Sequence, residues 1–388
     1  MNTLPTFSRR ARWAIPGAAV VLAAAVTAGS LISTAQASPE LPPRTAAQLL
    51  AAVAGRDAPP PALTGTVVET ASLGLPQLPG TSDQTSVTSL LAGSHTIKVW
   101  YADPQHIRLA VPVTLSETDV IRDGRQVSVW QSKSNTVTRM RLPAKMAGAH
   151  AKAMPSQVPL TPQEAASQAL KAVGPSTRVS VERNVTVAGQ PAYQLVLSPR
   201  SSGSLIGRVT IAIDATRNVP LRVQVFARGA ASPAIQVGYT SISFVKPAAA
   251  NFSFTTPPGA KVKVVSPPAD SSRHTAKGAK PGGEPQVIGK DWLSVAVLPA
   301  SDLAGVMSAG SASAGAAGVG SQSVTSGSGD SGAIAAALMH SATRVRGAWG
   351  SGRLLHTSLV NVLMTDNGHV LVGAVTPAVL YAAAAQAK

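Results

Sequence analysis

The chain has 388 residues, 33 Lys and Arg against 17 Asp and Glu for a formal charge of +16, and no cysteine. The missing cysteines exclude a disulfide framework and a lipid-attachment cysteine, so a fold outside the cytoplasm has to rest on its core; 45% hydrophobic residues over this length are enough to build one. Aromatics at 4% and positive residues scattered through Lys98, Arg108, Arg122, Arg125, Arg139 and Arg141 exclude the stacking platform of a single-strand nucleic-acid binder.

Residues 1–37 have the three parts of a secretory signal. Arg9, Arg10 and Arg12 form the basic end, 14–28 the short apolar core, and Ala35-Gln36-Ala37 the small residues before a cut at Ser38. The core is shorter than the roughly 20 residues a membrane span prefers, which favours cleavage over an uncleaved anchor. The mature chain stays strongly basic. After export, anionic lipid headgroups and cell-wall polymers are its expected partners, and nucleic acid is not.

A helix is expected over 44–55 (RTAAQLLAAVAG), with Leu49, Leu50 and Val53 on one face and Gly55 closing it. Pro59 to Pro61 stop it, and 64–71 reads as a first strand. The stretch 73–91 is irregular, because Pro76 and Pro79 forbid a central strand. Its Leu73, Leu75 and Leu78 are candidate lid residues, and a surface Ω-loop is the alternative. Strands follow at 95–101, 107–113, 117–122, 126–131 and 136–142, with Asp123-Gly124 a strong hairpin signal. Thr161-Pro162-Gln163-Glu164 spells a capping box with proline in the first turn, predicting a helix to about residue 173. From 179 to 265 apolar-alternating strands resume at short intervals and predict a large curved antiparallel sheet with a hollow.

Composition then shifts. Residues 266–286 read as a Pro/Gly/Lys/Ser linker, and 308–332 as a flexible Ser/Gly/Ala tract. Around them 287–388 forms a small C-terminal α/β unit. It has a strand over 287–298, a hairpin made by 354–364 and 369–375 about Asp366-Asn367-Gly368, and a helix opening at Thr376-Pro377.

Period-two alternation assigns one face of each strand to the hollow. Its candidate wall is Val99, Ile107, Leu109, Val127 and Val129 from the first strands, and Leu195, Leu197, Val209, Ile211, Ile213, Leu221, Val223 and Val225 from the later ones. Such a wall suits acyl chains, each buried CH₂ contributing about 0.8 kcal/mol. The alternative is that these residues pack directly onto the two helices.

Catalytic signatures are missing from the sequence: no Gly-x-Ser-x-Gly elbow, no HExxH and no Walker loop. The seven histidines lack metal spacing; His95 and His106 flank one hairpin but bring no third ligand. Glu117, Asp119 and Asp123 near a hairpin read as solvated turn charges, and Trp100, Trp130 and Tyr193 as core anchors. No catalytic residue, cofactor or metal is expected.

Two segments carry a family resemblance. KVWY at 98–101, Asp103-Pro104, IRLAV at 107–111, RDG at 122–124 and VSVW at 127–130 resemble the lipoprotein-carrier family LolA. AANFSFTTPPGAKV at 249–262 looks like that family's final strand. The resemblance spans about 44–265. It implies an α+β fold: an unclosed antiparallel half-barrel wrapped over helices that plug an apolar cavity. The superfamily includes lipoprotein carriers and the sensor domain of sigma-factor regulators of the RseB/MucB type. Two departures stand out. Asp103 occupies the position of the carrier's basic gate residue, and the added C-terminal unit resembles the two-domain regulators. The chain as a whole resembles secreted actinobacterial members of the superfamily. The resemblance implies an exported, non-enzymatic binder of a lipid or acylated lipoprotein. The alternative is an envelope-stress regulator that binds a membrane-embedded anti-sigma factor.

Overall fold

The computed structural model describes residues 38–54, 59–74, 92–143, 160–171, 173–265, 286–300 and 341–387. The expected signal, Gly55, Leu75, Leu78, the 266–285 linker and the 308–332 tract lie outside them. Two antiparallel meanders make one twelve-stranded sheet. The first comprises β1 (Leu63–Ser72), β2 (Ala92–Asp103), β3 (His106–Val113), β4 (Ser116–Asp123), β5 (Gln126–Gln131) and β6 (Thr136–Arg141). The second comprises β7 (Thr177–Val187), β8 (Gln190–Pro199), β9 (Ile206–Asp214), β10 (Pro220–Ala227) and β11 (Ile235–Ser243). They join where β1 pairs with β11, and a last strand, β12 (Lys261–Val265), lies beside β6. The order β12-β6-β5-β4-β3-β2-β1-β11-β10-β9-β8-β7 leaves β12 and β7 as edges, so the sheet is not closed.

Turn chemistry fixes the registers. Gly124 takes a positive φ in the Asp123-Gly124 turn, where a glycine carries no steric cost. Asn135 does the same between β5 and β6.

Helices α1 (Ala46–Ala54) and α2 (Pro162–Lys171) cross the concave side. Both open on capping boxes. For α2, the Thr161 hydroxyl accepts the Glu164 N–H at 3.3 Å, and the Glu164 carboxylate accepts the Thr161 N–H at 2.9 Å. For α1, Thr45 and Gln48 exchange the same pair of bonds at 3.2 and 2.8 Å, which makes Thr45 its N-cap.

Three sequence expectations need correction. Residues 249–262 do not form one strand. Ala249–Asn251 is a 3₁₀ turn, and the following segment crosses the convex face to reach β12, which pairs parallel with β6. On the way Phe252 meets the His106 ring at 5.8 Å, and the Thr256 hydroxyl accepts a 2.7 Å bond from Arg139. Prolines 257 and 258 lack the N–H groups a ladder would need there.

The 287–298 strand is two: β13 (Gln286–Ile288) and β14 (Val295–Pro299), parted by positive φ at Gly289 and Asp291. The 354–364 strand is also two. β16 (Gly350–His356) and β17 (Asn361–Thr365) are turned by Thr357, whose hydroxyl receives the Val360 N–H and donates to its carbonyl. With β15 (Thr343–Gly347) and β18 (His369–Gly373) they form a second sheet in the order β13-β14-β18-β17-β16-β15. One face is covered by α3 (Pro377–Gln386), through Leu380, Ala383 and Ala384.

This sheet is docked on the first. The Leu205 N–H bonds Ala374 O at 2.9 Å, the Thr376 N–H bonds Gly203 O at 2.8 Å, and the Ser358 N–H bonds Leu73 O at 3.0 Å. Trp292 enters the core of the second meander.

Candidate functional site

The thirteen candidate wall residues divide between two clusters. Leu195, Leu197, Val209, Ile211, Ile213 and Val223 are buried with Leu49 of α1, Ala166 of α2 and Trp292, and Val225 packs at their margin. Here strand wall and helix face are in direct contact, as the packed-core reading expects. Val99, Leu109 and Val127 are buried with Leu63, Val67, Ile97 and Val120 in the other cluster. Leu221, the extra residue in the β9–β10 register shift between Pro220 and Arg222, joins this second group.

Along β2 to β6 the wall is less filled. Ile107, Val129, Tyr101, Val113 and Met140 are only half-buried against it. The register aligns Val99, Leu109, Val120 and Val129 in one row and Tyr101, Ile107, the buried Arg122, Val127 and Met140 in the next. Helix α2 reaches this region through Ala165, and through Gln163, whose side-chain oxygen accepts the Tyr239 hydroxyl at 3.3 Å.

Polar groups that sequence reasoning missed also face the hollow. Glu69 and His95 are directly paired across β1 and β2. Burial raises the Glu69 carboxyl above its ordinary range, against the pull of His95 and of the Leu160 backbone N–H. Its Oε2 and the Tyr101 hydroxyl are buried without a partner among the described residues. Burial, reinforced by nearby Asp103, pushes the Tyr101 hydroxyl up to about 12. The only signal available was a charged residue on the apolar face of an alternating strand, Glu69 two positions after Val67.

Leu73, the described member of the expected lid, packs with Ala234 and Leu359 under the β16–β17 turn. His95 and His106 stand at different ends of the β2–β3 hairpin. His106 bonds Asp103 at 2.8 Å and lies 3.5 Å from Asp123, at the far end of β3. Nor is Asp119 a solvated turn charge. It is 3% exposed on the convex face, 2.6 Å from Arg108, whose guanidinium stacks 5.2 Å from the Trp100 ring. Burial, then the neighbouring Asp119, raises the Glu117 carboxyl. Among the described residues no group of three or more His, Asp or Glu is placed to hold a metal, and no helix is long and apolar enough to cross a membrane.

No family model matches the sequence, and no curated protein does. Among solved structures, the chain is similar to the MucA/MucB complex of Pseudomonas aeruginosa, at 15% identity over 87% of this chain and 94% of that one, with a TM-score of 0.36. MucB in complex with MucA(peri) gives 15% identity over 87% and 97%, with a TM-score of 0.38. A LolA superfamily protein from Nitrosomonas europaea gives 11% identity over 55% and 99%, with a TM-score of 0.23. By its own strand order the chain folds as an unclosed antiparallel half-barrel over helices, joined to a second, six-stranded unit.

Proposed function

We propose that this chain is an exported, non-enzymatic binding protein that holds the acyl chains of a lipid or lipoprotein in the hollow of its half-barrel. One observation carries the reading. The wall under α1 is filled by helix side chains, whereas the β2–β6 wall keeps Tyr101, Ile107, Val113, Val129 and Met140 only half-buried. Transfer of each CH₂ onto such a wall is favourable by about 0.8 kcal/mol. Tyr101 and Glu69 supply hydrogen-bonding groups for the polar end of an amphiphile. Export rests on the three-part signal at 1–37.

The test is native mass spectrometry with lipid extraction on the chain from Ser38, secreted by its own host. A stoichiometric acylated species supports the reading and names the cargo. An empty protein that also refuses a fluorescent fatty acid sinks it.

A second reading, a regulator that binds a membrane anti-sigma factor, draws support from the docking of the six-stranded unit into the half-barrel core through Trp292. That contact couples the hollow to a second surface. It predicts that lipid loading shifts the affinity for the extracytoplasmic segment of such a factor. Equal affinity of the empty and loaded forms would remove it.

A further inference from the structure

Strands β15 and β16 carry three arginines on one side. Arg344 lies directly opposite Arg353, and Arg346 is two positions further along β15. Val345 and Leu354 point the other way, into the core beneath α3, so alternation turns all three arginines outward. Each is exposed, Arg344 with 63% of its side chain. Like charges placed directly opposite destabilise a strand pair, and among the described residues β15 is an edge strand with no neighbour on its outer side. Asp366 lies 3.5 Å from Arg344 and also accepts the Ser351 hydroxyl, which still leaves the patch net positive. Three guanidinium groups on a flat, exposed sheet face match a plane of phosphates, which guanidinium forks bind bidentately.

We propose that the Arg344/Arg346/Arg353 face docks the protein on an anionic bilayer surface. The docking is independent of what the hollow holds: vesicle binding without uptake of an acyl probe leaves it standing. The experiment is co-sedimentation of the chain from Ser38, which carries the whole described unit, with vesicles of phosphatidylcholine alone or with 30% phosphatidylglycerol. The expected result is binding to the anionic vesicles only, fading as salt rises, and weakened about tenfold or more in R344Q/R346Q/R353Q. The same triple variant is expected to stay folded, because all three side chains are exposed. A charge-matched control, R141Q/K261Q/K263Q at the β6–β12 edge, is expected to bind within about twofold of the parent. Three results would overturn the proposal: no binding by the parent, equal losses in both triple variants, or arginine-dependent capture of poly-glutamate without vesicle binding.

Discussion

The indole N–H of Trp292 donates a 2.7 Å hydrogen bond to the hydroxyl of Thr177, and both residues are buried. Trp292 belongs to the short turn before β14, Thr177 to the start of β7. The six-stranded unit therefore completes the core that Leu195, Leu197 and Ile211 begin. Trp292→Ala removes both the ring and the bond, with an expected loss of about 3–5 kcal/mol. Trp292→Phe keeps most of the volume and is expected to lose about 1 kcal/mol. Urea unfolding of the three proteins checks this. A tryptophan-to-alanine change with no effect on the half-barrel transition would show that the two sheets fold independently.

Gly65 is where the sheet and α2 are brought together. A Cβ there would stand 2.7 Å from Ser241 O and 2.8 Å from the Tyr239 ring, which lies across the glycine and whose hydroxyl reaches Gln163. Gly65→Ala is expected to displace the ring, lower stability by about 1–3 kcal/mol and loosen α2. Hydrogen exchange at 162–171, faster than in the parent, is the readout.

Burial pushes the Tyr239 hydroxyl up to about 12, and Tyr101 shares the direction. The neutral phenol is thus favoured in the folded state. Its contribution is complete below the unfolded value near 10 and is lost as pH rises through about 12. Unfolding midpoints at pH 9 and 11.5 are expected to fall steeply in the parent and less in Tyr239→Phe. A parallel decline in both would assign the alkaline loss elsewhere.

The two halves of the wall are expected to answer mutation differently. Ile211→Ala, in the filled half, costs about 2–5 kcal/mol and leaves fatty-acid uptake per folded molecule unchanged. Val129→Arg, in the half-buried row, is expected to reduce uptake about tenfold or more with a much smaller stability loss. Equal uptake by the parent and Val129→Arg would place the ligand elsewhere or nowhere.

Glu69→Gln addresses the charged group in the hollow. Burial raises this carboxyl, so folding favours its neutral form, and the parent loses stability as pH rises through its folded value. The amide variant is expected to be more stable than the parent at pH 7 and to match it at acidic pH. Melting curves at pH 4 and 7 decide it.

Much of the half-barrel was legible because its signals are local. Alternation at 107–113 and 206–214 marked strands, Asp123-Gly124 marked a turn, and Thr161/Glu164 marked a helix start, each within a few residues. What escaped depends on partners distant in sequence. Nothing near Asp119 announces that Arg108 and the crossing chain bury it. Nothing near Leu221 announces the register shift that moves it to the other cluster. The 249–262 segment misled because Phe-x-Phe alternates like a strand, while the prolines after it forbid a ladder. At the site, periodicity grouped the wall residues by strand but could not say which half the helices fill, because that depends on where α1 and α2 land.

The parallel pairing of β12 with β6 sets an order of assembly. Residues 136–140 must wait for 261–265 to be delivered across the back of a finished meander, so this ladder closes a loop of more than a hundred residues. A chain made from its N-terminus presents β6 long before its partner exists. Until residue 265 is made, that edge stands open to any strand that meets it first, and a holding factor would have its natural target there.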